Sequence, residues 1–176
     1  MRKTKLYIAM SLNGKIAKKD GSVGWLDNIP NPEKSDFGYK DFYYSIDTTI
    51  HCNSTYKQII SWGIDFPYSD KENYVFTTNS KLKTTKDVEF ISENHIEFLK
   101  HLKNQAGKDI WIIGGGELNS MLLNEKMIDE IIVFVMPIIL TDGIDLFEEL
   151  PKETKLNLLE TKSFAGGTVQ LRYSLK

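Results

Sequence analysis

Three consecutive glycines, Gly114, Gly115 and Gly116, separate a short apolar run from the start of a helical pattern. The run is Asp109-Ile110-Trp111-Ile112-Ile113, and Leu118, Met121 and Leu122 give the helical spacing. A strand that turns through glycine into a helix leaves backbone N–H groups unpaired at the positive end of the helix dipole. Such an end holds a phosphate or a carboxylate. Glycine lacks Cβ, so the chain can bend tightly and a ligand can approach the backbone. A plain strand-to-helix turn is the alternative reading of the same residues. The turn is not a Gly-x-Gly-x-x-Gly fingerprint, and no Gly-Lys-Ser/Thr loop occurs in the chain.

Other reactive groups are few. Cys52 is the single cysteine, and no residue near it in sequence argues for a nucleophile. His51 stands at a strand end beside it, where it can contact a ligand or serve the core. His95 and His101 fall on the outer face of a helical segment and read as solvated. No His, Cys and Asp spacing suggests a metal site.

The bulk properties narrow the class. The chain has 176 residues, 41% hydrophobic and 26% charged, which fits one soluble globular domain spanning residues 1–176. A net charge of −2 with scattered lysines gives no electrostatic case for nucleic acid. No apolar run approaches membrane-spanning length. The charged Met1–Lys5 start is followed by an apolar run that ends at Asn13 without a cleavage pattern. With one cysteine there is no internal disulfide, and a reducing, cytoplasmic setting is expected.

The elements that must position these groups alternate between strand and helix. Leu6, Ile8, Met10 and Leu12 alternate with Tyr7, Ala9 and Ser11, as in a strand. Asn13-Gly14 reads as a turn, Lys15-Ile16-Ala17 as a brief strand, and 18–34 as a long loop. Tyr39, Phe42, Tyr43 and Ile46 predict a helix over 35–46. Thr48–His51 is a β-branched strand, and Asn53 is placed to cap a helix carrying Tyr56, Ile59 and Ile60. Strands follow at 74–78 and 88–91, then a helix through Ile96, Leu99 and Leu102 that ends near Gly107. After the glycine turn and a helix at 117–124, the continuous apolar run 129–137 reads as a strand covered on both faces. Residues 156–164 and 168–175 flank Ala165-Gly166-Gly167 as an antiparallel hairpin. The sum is a three-layer α/β/α domain with a mixed, mostly parallel sheet. Its ligands are expected beyond the carboxyl ends of the strands, where Ala9, Cys52, Thr77, Thr78 and Gly114–Gly116 fall.

Lys5 to Ala17 resembles the opening strand of the dihydrofolate-reductase-like superfamily. The branch it resembles is that of the C-terminal reductase domain of the bifunctional riboflavin-biosynthesis protein. Ile46-Asp47-Thr48, Thr55-Tyr56, Asp109 to Glu117, Ile128-Asp129-Glu130, Met136-Pro137, Gly143 to Phe147 and Gly167 to Tyr173 are similar to the family's segments, in the family's order. The resemblance implies a dihydrofolate-reductase-like fold, NADPH as hydride donor, a pterin-like or ribosylaminopyrimidine substrate, and a homodimer.

Position by position, the resemblance implies cofactor contacts at Gly114, Gly115, Gly116, Glu117 and Leu118, at Ser54 and Thr55, and at Thr77 and Thr78. Ala9 and Ile16 would flank the nicotinamide, and residues 14–26 would form a lid carrying Trp25 over the substrate. Ala9 reads equally as ordinary strand packing, and Trp25 as a core anchor. Asp36 matches the substrate-binding acid of the dihydrofolate-reducing relatives and is the expected proton donor, with a helix cap as its other reading. Two departures weaken the coenzyme assignment. Cys52-Asn53 replaces the family's Gly-Arg, whose arginine meets the 2′-phosphate, so NADH becomes possible. Thr141-Asp142 stands where the family favours Leu-Gly. Lys81 or Lys83 can compensate as a point-charge phosphate partner. The function classes implied are an NAD(P)H-dependent reductase and a nucleotide-binding protein that keeps the fold without turnover.

Overall fold

The computed structural model describes residues 1–149 and 151–175. In chain order the strands are β1 (Thr4–Ser11), β2 (Lys15–Ala17), β3 (Ile46–Cys52), β4 (Glu72–Phe76), β5 (Glu89–Ile91), β6 (Asp109–Gly114), β7 (Glu130–Met136), β8 (Ile144–Asp145), β9 (Leu156–Ser163) and β10 (Val169–Leu175). The helices are α1 (Tyr39–Ser45), α2 (Asn53–Ser61), α3 (His95–Asn104) and α4 (Gly116–Asn124), with a 3₁₀ turn at Gly24–Asn28 inside the long loop.

Among the described residues, eight strands form one sheet in the order β5-β4-β3-β6-β1-β7-β10-β9, and β2 pairs with β8 in a separate ribbon. Neighbours from β5 to β7 are parallel, while β10 runs antiparallel to both β7 and β9. This is the expected mostly parallel sheet closed by a C-terminal hairpin. Strand β6 is inserted between β1 and β3, which puts the glycine turn at the centre of the sheet edge.

Two apolar layers cover the sheet. One holds Leu6, Ile50, Ile110 and Ile112 against Leu99 and Leu102 of α3 and Leu118 and Leu122 of α4. The other holds Ile46, Trp111, Ile132 and Phe134 against Phe42 of α1 and Trp25 of the loop. A third cluster, Ile59, Phe66, Val75 and Val88, seats α2 on the outer strands. Each completely enclosed Leu or Ile contributes roughly 1.5–3 kcal/mol of burial. Among the described residues, no helix is long and apolar enough to cross a membrane.

Some boundaries differ from the sequence expectation for local reasons. Helix α1 begins only at Tyr39, because Gly38 takes φ +79° and the Asp36 carboxylate accepts the following amides. Helix α2 is capped by Cys52, whose sulfur accepts the Thr55 amide, rather than by Asn53. Helix α3 stops at Asn104, where the Gln105 amide returns to the Leu102 carbonyl, so Gly107 is not its cap. Strand β4 ends at Phe76, before Thr77 and Thr78.

Candidate functional site

The carboxyl ends of β1, β3 and β6 open into one cleft of about 780 Å³. One end is aromatic. Tyr7 and Ala9 of β1, Trp111 and Ile113 of β6, and Tyr68 form its walls, with Val23 and Leu26 of the loop above. The Tyr7 ring stacks on Phe42 at 4.1 Å between centroids, and the Trp111 indole N–H donates to the Tyr7 carbonyl at 3.1 Å. Tyr68 meets Trp111 edge-on at 5.3 Å. Burial pushes the Tyr7 and Tyr68 phenols well above their usual range, so both stay protonated and can donate hydrogen bonds at any working pH. The Tyr7 hydroxyl donates to the Phe37 carbonyl at 3.3 Å. Such a slot, flat, apolar and edged with hydroxyls, suits a planar heterocycle.

The other end is built around the glycine turn. Gly114 has φ +106°, a conformation that favours glycine, and the Gly114–Gly115 peptide is cis. Ser54 and Thr55 from the start of α2, and Gly115, Gly116 and Glu117 from the start of α4, face each other across the cleft. Cys52 lies between the two helix starts. Its sulfur accepts the Gly115 amide at 3.1 Å and lies 3.0 Å from Ser54 Oγ and 3.1 Å from Thr55 Oγ1. Burial pushes the Cys52 thiol up, but the two hydroxyls and the Gly115 and Thr55 amides outweigh it and leave the thiol below its ordinary value.

The turn differs from expectation in one respect. Its amides were expected to be free for a ligand, yet the Gly115 amide is already held by Cys52. Gly116 is glycine because the protein's own chain presses on it. A Cβ there would collide with the Asp145 carbonyl and lie 2.7 Å from Cγ and 2.9 Å from Oε2 of Glu148. The Glu148 amide donates to the Gly116 carbonyl at 3.3 Å, and its carboxylate faces the Glu117 amide. Burial raises the Glu148 carboxyl above its usual value, and the Glu117, Asp145 and Glu149 carboxylates add to the rise.

Part of the segment 14–26, expected to form a lid, lines the cleft. Ile16, Ala17, Lys19, Asp20 and Gly21 roof the cleft, and the Gln58 side chain of α2 donates to the Gly21 carbonyl. Ser11 and Asn13 fix the base of this segment: Ser11 Oγ bonds Asn13 Oδ1 at 2.8 Å and accepts the Lys15 amide at 2.9 Å.

The residues expected at the site are thus divided. Ala9, Ile16, Ser54, Thr55, Gly115, Gly116 and Glu117 line the cleft. Gly114 lies buried beneath it, and Leu118 (4% exposed) belongs to the core under α4. Trp25 is also a core residue, 4% exposed, packed in the layer of Phe134 and Met136; Val23 and Leu26 face the cleft in its place. Thr77 is buried, its hydroxyl accepting the Asn79 amide, and Thr78 is exposed; neither lines the cleft. Lys81 and Lys83 are likewise outside it.

Asp36 requires correction. Its exposed carboxylate accepts the Gly38 and Lys40 amides at 3.0 and 3.3 Å, and those amides hold it below the usual carboxylate range. It caps the entry to α1 instead of presenting a proton to the cleft. His51 is fully buried, bonded to Thr49 Oγ1 at 2.8 Å, and burial takes its pKa down to about 3. His95, expected to be solvated, stacks on Phe76 at 4.7 Å and engages the Thr77 and Ile91 carbonyls. Tyr68, Cys52 as a structural pin, and Glu148 were not anticipated from the sequence. Only Cys52 left a signal, a side chain able to cap at a strand-to-helix junction.

This strand order, with a parallel core, a terminal antiparallel hairpin and a cleft at a central glycine turn, defines a dihydrofolate-reductase-like fold. The chain matches the RibD C-terminal domain family over residues 45–170, and it belongs to that family. It is 48% identical over 172 residues to the uncharacterized protein YwjB of Bacillus subtilis (strain 168), covering 98% of this chain and 97% of that one. A protein of Shewanella sp. PV-4 described in terms of riboflavin biosynthesis superposes with a TM-score of 0.88 at 27% identity, covering 99% of both chains. The diaminohydroxyphosphoribosylaminopyrimidine deaminase/5-amino-6-(5-phosphoribosylamino)uracil reductase of Thermotoga maritima gives 0.73 at 16% identity, covering 99% of this chain and 57% of that one. Dihydrofolate reductase of Enterococcus faecalis, complexed with NADP(H), gives 0.72 at 15% identity, covering 99% and 96%.

Proposed function

We propose that the protein is an NAD(P)H-dependent reductase of a small pterin-like or ribosylaminopyrimidine substrate. One observation carries this reading: a single cleft joins a protonated aromatic slot to a glycine turn flanked by two helix starts. Hydride transfer requires two flat rings stacked face to face with water kept out. Tyr7, Tyr68, Trp111 and Ile113 would hold the acceptor ring, and Ala9 is small enough to let a second ring lie beside it. The Ser54 and Thr55 hydroxyls and the turn from Gly115 to Glu117 would hold the phosphates of a dinucleotide, with Ile16 closing over the nicotinamide. The bound dihydronicotinamide would supply the hydride. Asp36 being committed elsewhere, the Tyr68 hydroxyl is the group we assign to hydrogen-bond the acceptor ring. The named activities of the Thermotoga and Enterococcus proteins support the class of reaction.

The test is a titration of the purified protein with NADPH and with NADH, following tryptophan emission. Binding is expected in the micromolar-to-millimolar range, roughly −8 to −4 kcal/mol. No response to either nucleotide removes the reading. Loss of the 340 nm band in the presence of a pterin or aminopyrimidine panel then identifies turnover.

A nucleotide-binding protein without turnover is the second reading. It is favoured by the engagement of the Asp36 carboxylate with the Gly38 and Lys40 amides, which takes up the acid expected to supply the proton. Binding without 340 nm loss on any substrate would select it. We further propose a cytoplasmic homodimer formed through β9, which exposes Leu156, Leu158 and Leu159 at 39%, 57% and 51%. Light scattering that gives a monomer mass would refute the dimer.

A further inference from the structure

The Glu148 carboxylate sits at the diphosphate end of the cleft, against Gly116 and facing the Glu117 amide. A carboxylate beside the first turn of α4 lies in the field of the same helix end that a phosphate would use. The Cys52 sulfur holds the neighbouring Gly115 amide. The protein therefore places its own sulfur on one amide of this turn and its own carboxylate beside the next. This inference rests on the reductase reading and deepens it.

We propose that Glu148 is an internal occupant of the diphosphate seat, which a dinucleotide must displace, so that this residue sets the affinity for the coenzyme. Displacement needs only the Glu148 side chain to swing away, because the segment that carries it is anchored: the Ser120 hydroxyl donates to the Glu148 carbonyl, the Asn119 amide group donates to the Leu146 carbonyl at 2.9 Å, and Leu146 and Phe147 pack on the core. Displacement is opposed by the attraction of the helix end. It is assisted by the like charges of Glu117, Asp145 and Glu149. The nearby cation, Lys15 of β2, is engaged by Asp145 at 2.7 Å, and Lys19 of the lid lies 3.6 Å from Asp142.

The sign of the pH effect follows. Like charges and burial favour the neutral acid, and a neutral Glu148 neither repels a diphosphate nor holds the helix end as firmly. Binding should therefore strengthen as pH falls toward the raised Glu148 value and weaken above it.

The experiment is a calorimetric titration with NAD⁺ and NADP⁺, which survive mild acid, between about pH 5.5 and 8.5. It compares the unmodified protein with Glu148→Gln, Glu148→Ser and the remote charge control Glu97→Gln. Glu148→Gln should bind NAD⁺ roughly tenfold more tightly at the alkaline end, the order expected when one like charge is removed beside a phosphate. It should also lose the pH dependence shown by the unmodified protein. Glu148→Ser should tighten at least as much, and Glu97→Gln should change neither. Equal or weaker NAD⁺ binding by both Glu148 variants overturns the inference and leaves the reductase reading standing. No binding of either nucleotide by any of the four proteins overturns both.

Discussion

Cys52 Sγ accepts the Gly115 amide at 3.1 Å, joining the end of β3 to the turn that follows β6. The same sulfur caps α2 through the Thr55 amide. One atom thus fixes the separation of the two helix starts across the cleft. Replacing it by Ala should cost about 1 kcal/mol, as for loss of an N-cap, and Ser should recover part of that. Chemical denaturation of the two variants measures it; equal midpoints for Ala and the unmodified protein would show the sulfur to be idle.

The thiol makes a second prediction. Since its partners hold it below the usual thiol value, alkylation by iodoacetamide should proceed at neutral pH faster than for a model thiol, with an inflection on the acid side of the ordinary one. Saturating nucleotide should slow the reaction. A rate that rises only at the usual thiol pH would contradict the assignment.

Asp36→Asn should leave turnover nearly intact, because a lost proton donor costs on the order of 10²–10⁴-fold and Asp36 faces amides instead of the cleft. Tyr68→Phe should lower kcat and leave the dissociation constant for NADPH unchanged. The opposite ranking of the two variants in steady-state assays would restore Asp36 as the acid.

Gly116→Ala should destabilise the fold by about 1–3 kcal/mol, since its methyl group would be forced against the Asp145 carbonyl and the Glu148 side chain. Gly115→Ala meets only Cys52 Sγ at 3.7 Å and Thr55 Oγ1 at 3.9 Å and should cost less. Thermal melts of the pair check the order, and a milder effect at Gly116 would mean that the covering segment is loose.

His51 predicts an acid limit. It is neutral in the fold, with a pKa near 3, and protonates near 6.5 when unfolded. Below about 6.5 the unfolded chain binds the extra proton, so stability falls by up to roughly 1.4 kcal/mol per pH unit as pH drops toward 3. Above 6.5 the effect vanishes. In urea titrations His51→Gln should show a shallower loss between pH 6.5 and 4; parallel curves would refute it.

The sheet was legible in the sequence because its strands carry strong patterns, from the alternation of Leu6 to Leu12 to the apolar run of β7. The glycine turn was legible for the same reason, as a break between two clear periodicities. The aromatic end was not, because Tyr7, Tyr68 and Trp111 lie far apart in the chain and only the strand order brings them together. Asp36 misled because a capping carboxylate and a catalytic one have the same local spacing. Trp25 misled because loop length says nothing about which side chain turns inward. Glu148 gave no warning: its significance comes from Gly116, thirty-two positions earlier.

The insertion of β6 between β1 and β3 has a consequence for biogenesis. Until residue 114 has left the ribosome, the two earlier strands have a gap where their shared neighbour belongs, and β1 also waits for β7 on its other side. Pairing across such long separations is slow, and the nascent polypeptide would present unpaired edges for most of its synthesis. Early termination products should therefore be ready clients for chaperones and proteases.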